Sequence, residues 1–560
     1  MDDRFVGARR ELRTATPHCA QSRSGRRLRD LAVGARWHWA DCLDGHGLVR
    51  PPQHHELTRI QPISERFTMK KPVITALAVA LLAPLSSGCS SADADDEPLS
   101  WKKCPKEVHA AGVECTTVEV PLDYENPDGK VIEIAVSRLA SKNPDKRRGV
   151  LVTNSGGPGG QTLTMPATLR EMGVPKSVLD SYDVIGIDPR GVGHSTPVTC
   201  GLKLTDHPSN IPTYARGEAD VAAEAKRVEA VAKKCATSRT ADLLPHITTA
   251  NTARDMDRVR EALGESKISY YGISYGTYLG SVYTTMFPKK TDRVFIDSVT
   301  GPGGWDASFV RKFGEGFQNR FPDFAEFAAA QDKNYGLGKT PEEVEATYFD
   351  IAEKLDTKPS PEGYNGQIFR QVTFDHFYYD KKLPELAEIW KALDTGKPVP
   401  KPDTGAEGEG AAAPSDIPAD NYLASQMHVI CNDSKWPEDV SQYARNVEED
   451  RKRYPMFGAA GANITPCAFW PSEPAEKPVK ITDRGPSNIL MLQNLRDNAT
   501  PLSSAREMRE ALGDRARMVT ADQGGHLAYL FLDNKCANDI VTTFLVTGER
   551  PGEDIACKAN

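Results

Sequence analysis

Two kinds of hydrophobic pattern divide the chain. Residues 149–153 (GVLVT), 182–188 (YDVIGID) and 488–493 (NILMLQ) are nearly unbroken apolar runs. A strand covered on both faces reads this way, because neither side-chain direction meets water. Residues 118–122 and 131–138 alternate between apolar and polar positions, which predicts an opening antiparallel pair with one solvated face. Further strands are expected at 267–271, 293–297 and 516–520. Between them, Ala253, Met256, Val259, Ala262 and Leu263 recur at helical spacing, with Asn251 as a candidate N-cap and Gly264 as the stop. Strands alternating with helices predict an α/β fold whose mostly parallel central sheet carries helices on both faces. From 301 to 484 the strand signal fades. Helical spacing takes over at 341–355 and 383–393, which predicts an inserted, mainly helical cap; 396–418, dense in Pro, Gly, Ala and acidic residues, reads as a loop.

One expected strand carries chemistry at its end. The run KISYY at 267–271 breaks at Gly272-Ile273-Ser274-Tyr275-Gly276 and continues into helical spacing. Such a Gly-x-Ser-x-Gly turn is a nucleophile elbow: it strains the serine backbone and projects the hydroxyl above the sheet. The pentapeptide alone is a common loop sequence, so its companions decide. In this architecture an acid and then a histidine follow the nucleophile. Asp497 lies in the polar turn after the 488–493 strand, and His526 follows Asp522-Gln-Gly-Gly after the 516–520 strand. A lone Asp in a turn is usually a cap, and a lone His a satisfied polar group. Three such residues in this order, each behind a strand, point to Ser274, Asp497 and His526 as catalytic. The 149–153 strand opens into Asn154-Ser-Gly-Gly-Pro-Gly-Gly160, whose glycines let main chain approach a substrate. Gly157 N–H and Tyr275 N–H are the expected oxyanion donors; Pro158 has none to give.

With these elements, the chain resembles α/β-hydrolases of the proline iminopeptidase-like serine exopeptidases, and most of all the secreted bacterial tripeptidyl aminopeptidase branch. The resemblance rests on Gly156-Gly-Pro-Gly-Gly160, the Asp183–Ser195 stretch DVIGIDPRGVGHS, the elbow, the Asp497–Pro501 turn and Gly525-His526. It spans roughly residues 100–557. Proline iminopeptidases carry histidine just before Gly-Gly-Pro-Gly, where this chain has Ser155; that departure speaks against single-proline specificity. Asp188-Pro-Arg-Gly191 is expected to shape a loop beside the site. The resemblance implies hydrolysis of peptide substrates from their amino ends by a Ser-His-Asp acyl-enzyme route, with no metal or organic cofactor. An aminopeptidase also needs a carboxylate for the substrate's cationic amine. Asp433 is the first candidate and Glu315 the second, although a solvated surface charge is the plainer reading of each. The rival readings are an esterase with the same triad and a non-catalytic peptide-binding lipoprotein.

Composition narrows the setting. The 560 residues carry a net charge of −8, which offers no basic footprint for nucleic acid, and neither a Walker loop nor zinc-ligand spacing occurs. Residues 69–89 (MKKPVITALAVALLAPLSSGC) have the basic start, short apolar core and small-residue ending of a signal peptide. The ending resembles a bacterial lipobox with Cys89 as the lipidated residue, which would anchor the protein to the outer face of the cell membrane; plain secretion is the alternative. The expected organisation is a mis-assigned start or disordered leader at 1–68, the signal peptide at 69–88 and a tether at 89–100. The hydrolase core follows at 101–300 and 485–560, interrupted by the cap at 301–484. Of 11 cysteines, Cys19 and Cys42 fall in the leader and Cys89 at the lipid site. The remaining eight suggest disulfides in an exported protein. Eight allow 105 connectivities; sequential pairing keeps each bridge local, as Cys104–Cys115, Cys200–Cys235, Cys431–Cys467 and Cys536–Cys557. Free buried thiols are the alternative.

Overall fold

A computed structural model describes residues 99–203, 205–207, 209–399 and 416–560. The leader, the signal sequence, Cys89 and most of the expected tether lie outside the described residues, as do 400–415 of the Pro/Gly-rich loop.

Ten strands form one sheet: β1 (Lys102–Lys103), β2 (Val113–Pro121), β3 (Val131–Leu139), β4 (Gly149–Asn154), β5 (Tyr182–Ile187), β6 (Ile268–Ile273), β7 (Thr291–Asp297), β8 (Ile489–Arg496), β9 (Ala516–Gly524) and β10 (Ile555–Cys557). Their spatial order is β1-β2-β3-β5-β4-β6-β7-β8-β9-β10. Pairing is antiparallel from β1 through β3 to β5, and parallel from there to β10. The pleat explains the apolar runs. Val150 and Val152 of β4 and Ile489 and Met491 of β8 enter one core, whereas Leu151, Leu490 and Leu492 enter the core on the opposite face. Helices cover both.

Helix α1 (Thr249–Ala262) precedes the elbow strand, and α2 (Tyr275–Met286) leaves it. The α1 cap is Thr248, whose side chain accepts from Asn251 N–H; Asn251, the candidate from sequence, sits inside the first turn. Between β7 and β8 the described residues form helices and no strand, including α3 (Phe313–Ala330) and α4 (Asn421–Asp433). Arg496, at the end of β8, pairs with Asp323 of α3 (2.8 Å) and Asp522 of β9 (2.7 Å). Asp420, just ahead of α4, accepts from Cys200 N–H and Leu202 N–H, both 2.9 Å. The helical insertion is therefore bolted to the sheet end that carries the elbow.

β9 runs to Gly524, past the stretch expected at 516–520, because Arg496 and Gly524 remain partners across a register shift. β10 had no apolar signal of its own; its pairing with β9 and the Cys536–Cys557 bond hold it. The other disulfides join Cys104 to Cys115, Cys200 to Cys235 and Cys431 to Cys467. Removing Cys536–Cys557 as a double Ser variant is expected to cost about 3 kcal/mol for its 21-residue separation, read as a lowered thermal midpoint.

Candidate active site

The site is built where β4, β6, β7, β8 and β9 end. Ser274, between β6 and α2, has φ 56° and ψ −123°, a conformation that strains any residue bearing a side chain. Its neighbours over-determine it. Ser274 N–H donates to the Asp297 carbonyl (3.0 Å), while its own carbonyl accepts from Thr277 Oγ1 (2.5 Å) and Thr300 Oγ1 (3.0 Å). The turn also needs bare backbone on both sides. A Cβ on Gly276 would lie 2.7 Å from Asn154 Oδ1 and 2.9 Å from its carbonyl. A Cβ on Gly156 would lie 2.5 Å from the Ile273 carbonyl and 3.1 Å from Ser274 Cβ. The glycine loop after β4 thus rests directly on the elbow, with Gly157 next in chain.

Asp497 is fully buried and its carboxylate is saturated with donors. Oδ1 accepts from Ala499 N–H and Thr500 N–H, both 2.8 Å, and Oδ2 from Thr500 Oγ1 at 2.9 Å. His526 Nδ1 lies 2.9 Å from Oδ2 and 3.0 Å from Oδ1. An ionised carboxylate only accepts, so Nδ1 carries the hydrogen and the Nε2 lone pair is left free. His526 is itself buried; its N–H donates to the Tyr378 carbonyl (2.9 Å), and the two rings meet edge-on at 5.1 Å.

One residue ties His526 and Ser274 together. The carbonyl of Asp297 holds Ser274 N–H, while its carboxylate accepts from Ala528 N–H (3.2 Å) and Tyr529 N–H (2.9 Å), just beyond His526. Ser298 Oγ accepts from Leu527 N–H at 2.9 Å. Burial pushes the Asp297 carboxyl up to about 7, against the pull of those N–H groups.

Asp433 ends α4 and its partly buried carboxylate meets the start of α1: Oδ1 accepts from Thr249 N–H (2.8 Å) and Oδ2 from Thr249 Oγ1, which also contacts Tyr275 Oη. Glu315 lies in the first turn of α3, where one oxygen accepts from Ser503 Oγ at 3.0 Å. Asp188 accepts from Thr162 N–H, Leu163 N–H and His194 N–H, and Arg190 is buried against Asp255; both hold loops beside the site. Sequence reasoning missed Asp297, Thr500 and Tyr378. Thr500, three residues past Asp497, had the spacing of an Asx turn as its signal. Tyr378 comes from the helical insertion and had none.

This sheet, with a strained serine between a parallel strand and a helix, defines the α/β-hydrolase class, and the protein is a serine hydrolase. A family model described as TAP-like protein matches residues 454–557. The chain is 34% identical over 472 residues to the tripeptidyl aminopeptidase of Streptomyces lividans, covering 82% of this chain and 86% of that protein. It is 27% identical to the serine protease Hip1 of Mycobacterium tuberculosis (82% and 91% covered) and 28% identical to carboxylesterase B of the same species (82% and 89%). The chain belongs to the tripeptidyl aminopeptidase-like family of α/β-hydrolases.

Proposed function

We propose that this protein is an exported serine exopeptidase that releases short peptides, in the size range of tripeptides, from free amino ends. The observation that carries the reading is the His526–Asp497 pair, held beside the elbow by Asp297. Ser274 Oγ attacks the scissile carbonyl as His526 Nε2 takes its proton. His526 then gives that proton to the leaving amine, and Asp497 fixes the ring and offsets the imidazolium charge. Gly157 N–H and Tyr275 N–H hold the tetrahedral oxyanion. Water, activated by the same imidazole, releases the amino-terminal fragment. The segment 301–484 acts as the cap that limits how far a substrate enters. Four disulfides support an oxidising compartment; the signal sequence and lipidation at Cys89 complete that proposal.

A panel of tripeptidyl, aminoacyl and amino-blocked arylamides beside simple aryl esters tests this reading. Tripeptidyl arylamides are expected to give the highest kcat/KM. Faster turnover of simple esters with no arylamide cleavage would instead establish the esterase reading, which the carboxylesterase relative keeps open.

Gly276→Ala is expected to lower kcat by about 10²–10³, because its Cβ has no room against Asn154 and the adjacent Tyr275 N–H must shift. Pre-steady-state acylation rates check this.

Of the two carboxylates proposed for the substrate amine, Asp433 is favoured by its link through Thr249 to Tyr275. Two of its roughly four lone-pair sites are used, which leaves acceptors for an ammonium. Burial pushes its carboxyl up to about 7. Below that pH it takes up a proton and loses its charge, while a substrate α-amine stays cationic. KM for free-amine peptides is therefore expected to rise as pH falls from about 7.4 to 6, where the amine is already mostly protonated. Asp433→Asn is expected to raise KM about tenfold at the upper end and flatten the profile; the same shift in Glu315→Gln instead would move the anchor to α3.

A further inference from the structure

Under the helical insertion lies a cavity of about 40 Å³ with walls of unusual chemistry. Most of its lining is apolar, including Val310, Met427, Ile430 and Ile464. Four of the lining residues also carry a buried polar side-chain atom with no hydrogen-bond partner among the described residues: Gln426 Nε2, Trp305 Nε1, Thr465 Oγ1 and His207 Nδ1. Three of these residues are more than nine-tenths buried, with Gln426 2% exposed and Thr465 and His207 8% each. A buried donor without an acceptor costs about 1–3 kcal/mol. The two obligate donors among them, Gln426 Nε2 and Trp305 Nε1, mark a place where acceptors belong, while Thr465 Oγ1 and His207 Nδ1 can serve in either role.

The cavity adjoins the catalytic elements on two sides. On one, α4 lies on the oxyanion loop so closely that a Cβ on Gly159 would come within 2.6 Å of the Tyr422 carbonyl and 3.2 Å of Gln426 N. On the other, Trp305 belongs to the loop that leaves β7, whose Thr300 holds the Ser274 carbonyl. From Trp305 a run of ring contacts passes through Phe313, Phe374 and Tyr378 to His526, with centroid separations of 5.6, 5.5, 5.9 and 5.1 Å. The cavity thus shares α4 and the loop after β7 with the surroundings of the hydrolytic site, although its own lining holds neither the triad nor the Gly156–Gly160 loop.

We propose that this cavity is a specificity subsite for the fragment that is released, taking a small uncharged aliphatic side chain while Gln426 and Trp305 donate to the peptide's main-chain carbonyls. The inference rests on the exopeptidase reading above and names the residues that choose its substrate. Three features set the ligand class. The amide nitrogen of Gln426 and the indole of Trp305 can only donate, so the ligand must accept. No charge in the lining is free to meet a charged side chain: Glu224 is paired with Arg227, and burial drives His207 down to about 3, so its ring is neutral. The volume admits about three water-sized groups, which suits alanine to valine or proline and excludes aromatic side chains.

Tripeptidyl arylamides varied at each of the three positions, with Ala, Val, Leu, Phe, Lys and Glu, test the proposal. The wild-type protein is expected to restrict one position to the small aliphatic members by at least tenfold in kcat/KM. Gln426→Leu is expected to raise KM at least tenfold with kcat within threefold. Val310→Ala, which lengthens the cavity by two carbons, is expected to shift preference at that same position towards Leu. Should the variants keep the wild-type ranking and KM, the cavity holds water only and the proposal falls. A small fluorophosphonate that reacts at Ser274 reports the catalytic reading separately. Labelling of all variants at the wild-type rate alongside unchanged specificity would overturn the subsite alone, whereas no labelling of the wild type would overturn the subsite and the peptidase reading together. Gln426→Glu, of the same shape, guards against a folding defect. Once its carboxyl is ionised it places an acceptor where a donor is required, and is expected to lose as much affinity as Gln426→Leu; a KM equal to wild type at every pH from about 6 to 9 overturns the donor assignment.

Discussion

Ser274→Ala is expected to lower kcat by about 10⁶, to the level that binding and the oxyanion donors alone can sustain. An effect this large is what the proposed mechanism requires, in which the serine, the imidazole and the carboxylate act as one unit. Without Oγ there is no acyl-enzyme, and the relay behind it has nothing to activate. Alanine fits the space, and a smaller side chain at φ 56° is no more strained than serine, so the thermal midpoint is expected to hold or rise slightly. Steady-state cleavage of a tripeptidyl arylamide, with active-site titration to exclude trace wild type, makes the measurement. Activity within tenfold of wild type would remove Ser274 from the mechanism.

Asp497→Asn is expected to lower kcat by about 10⁴ with little change in KM. The cause is the tautomer. Asp497 accepts from two main-chain N–H groups, from Thr500 Oγ1 and from His526 Nδ1. An amide in its place must point NH₂ at one of these donors. If the amide nitrogen faces Nδ1, the ring moves its hydrogen to Nε2 and can no longer take a proton from Ser274. If it faces the turn instead, Ala499 and Thr500 lose an acceptor in a fully buried pocket. Both outcomes damage the site, and only the second costs appreciable stability. A pH–rate profile beside a thermal melt separates them: a lost basic limb with an unchanged melt identifies the tautomer.

Much of the candidate site's placement could be read from the chain because it obeys local rules. Ser274, Asp497 and His526, the residues proposed as catalytic, each follow a strand whose apolar run is continuous, and the elbow carries its glycines in sequence. Residues 341–355 and 383–393 matched Pro341–Thr357 and Leu383–Thr395, since their apolar spacing is regular. Departures came from partners far away in sequence. β9 extends through Asp522 because Arg496 pairs with it. Thr248 rather than Asn251 caps α1, because the backbone turns helical three residues ahead of the expected start. Asp297 looked like the last residue of a strand, and nothing local says that its carboxylate braces a loop more than 200 residues downstream. The four unpartnered side chains of the cavity come from four separate segments, and only folding brings them together.

The clamp at Asp297 has a consequence for how the protein comes into being. A polypeptide made from its amino end presents the serine early, but the loop that completes the clamp lies beyond the whole helical segment, past residue 520. Until those last stretches arrive, His526 and Asp497 are missing, and the bend at Ser274 is held only by its nearby partners Asp297, Thr277 and Thr300. On the proposed mechanism, the growing chain therefore has no cutting power to turn on its own unfolded length or on its neighbours until those stretches have folded.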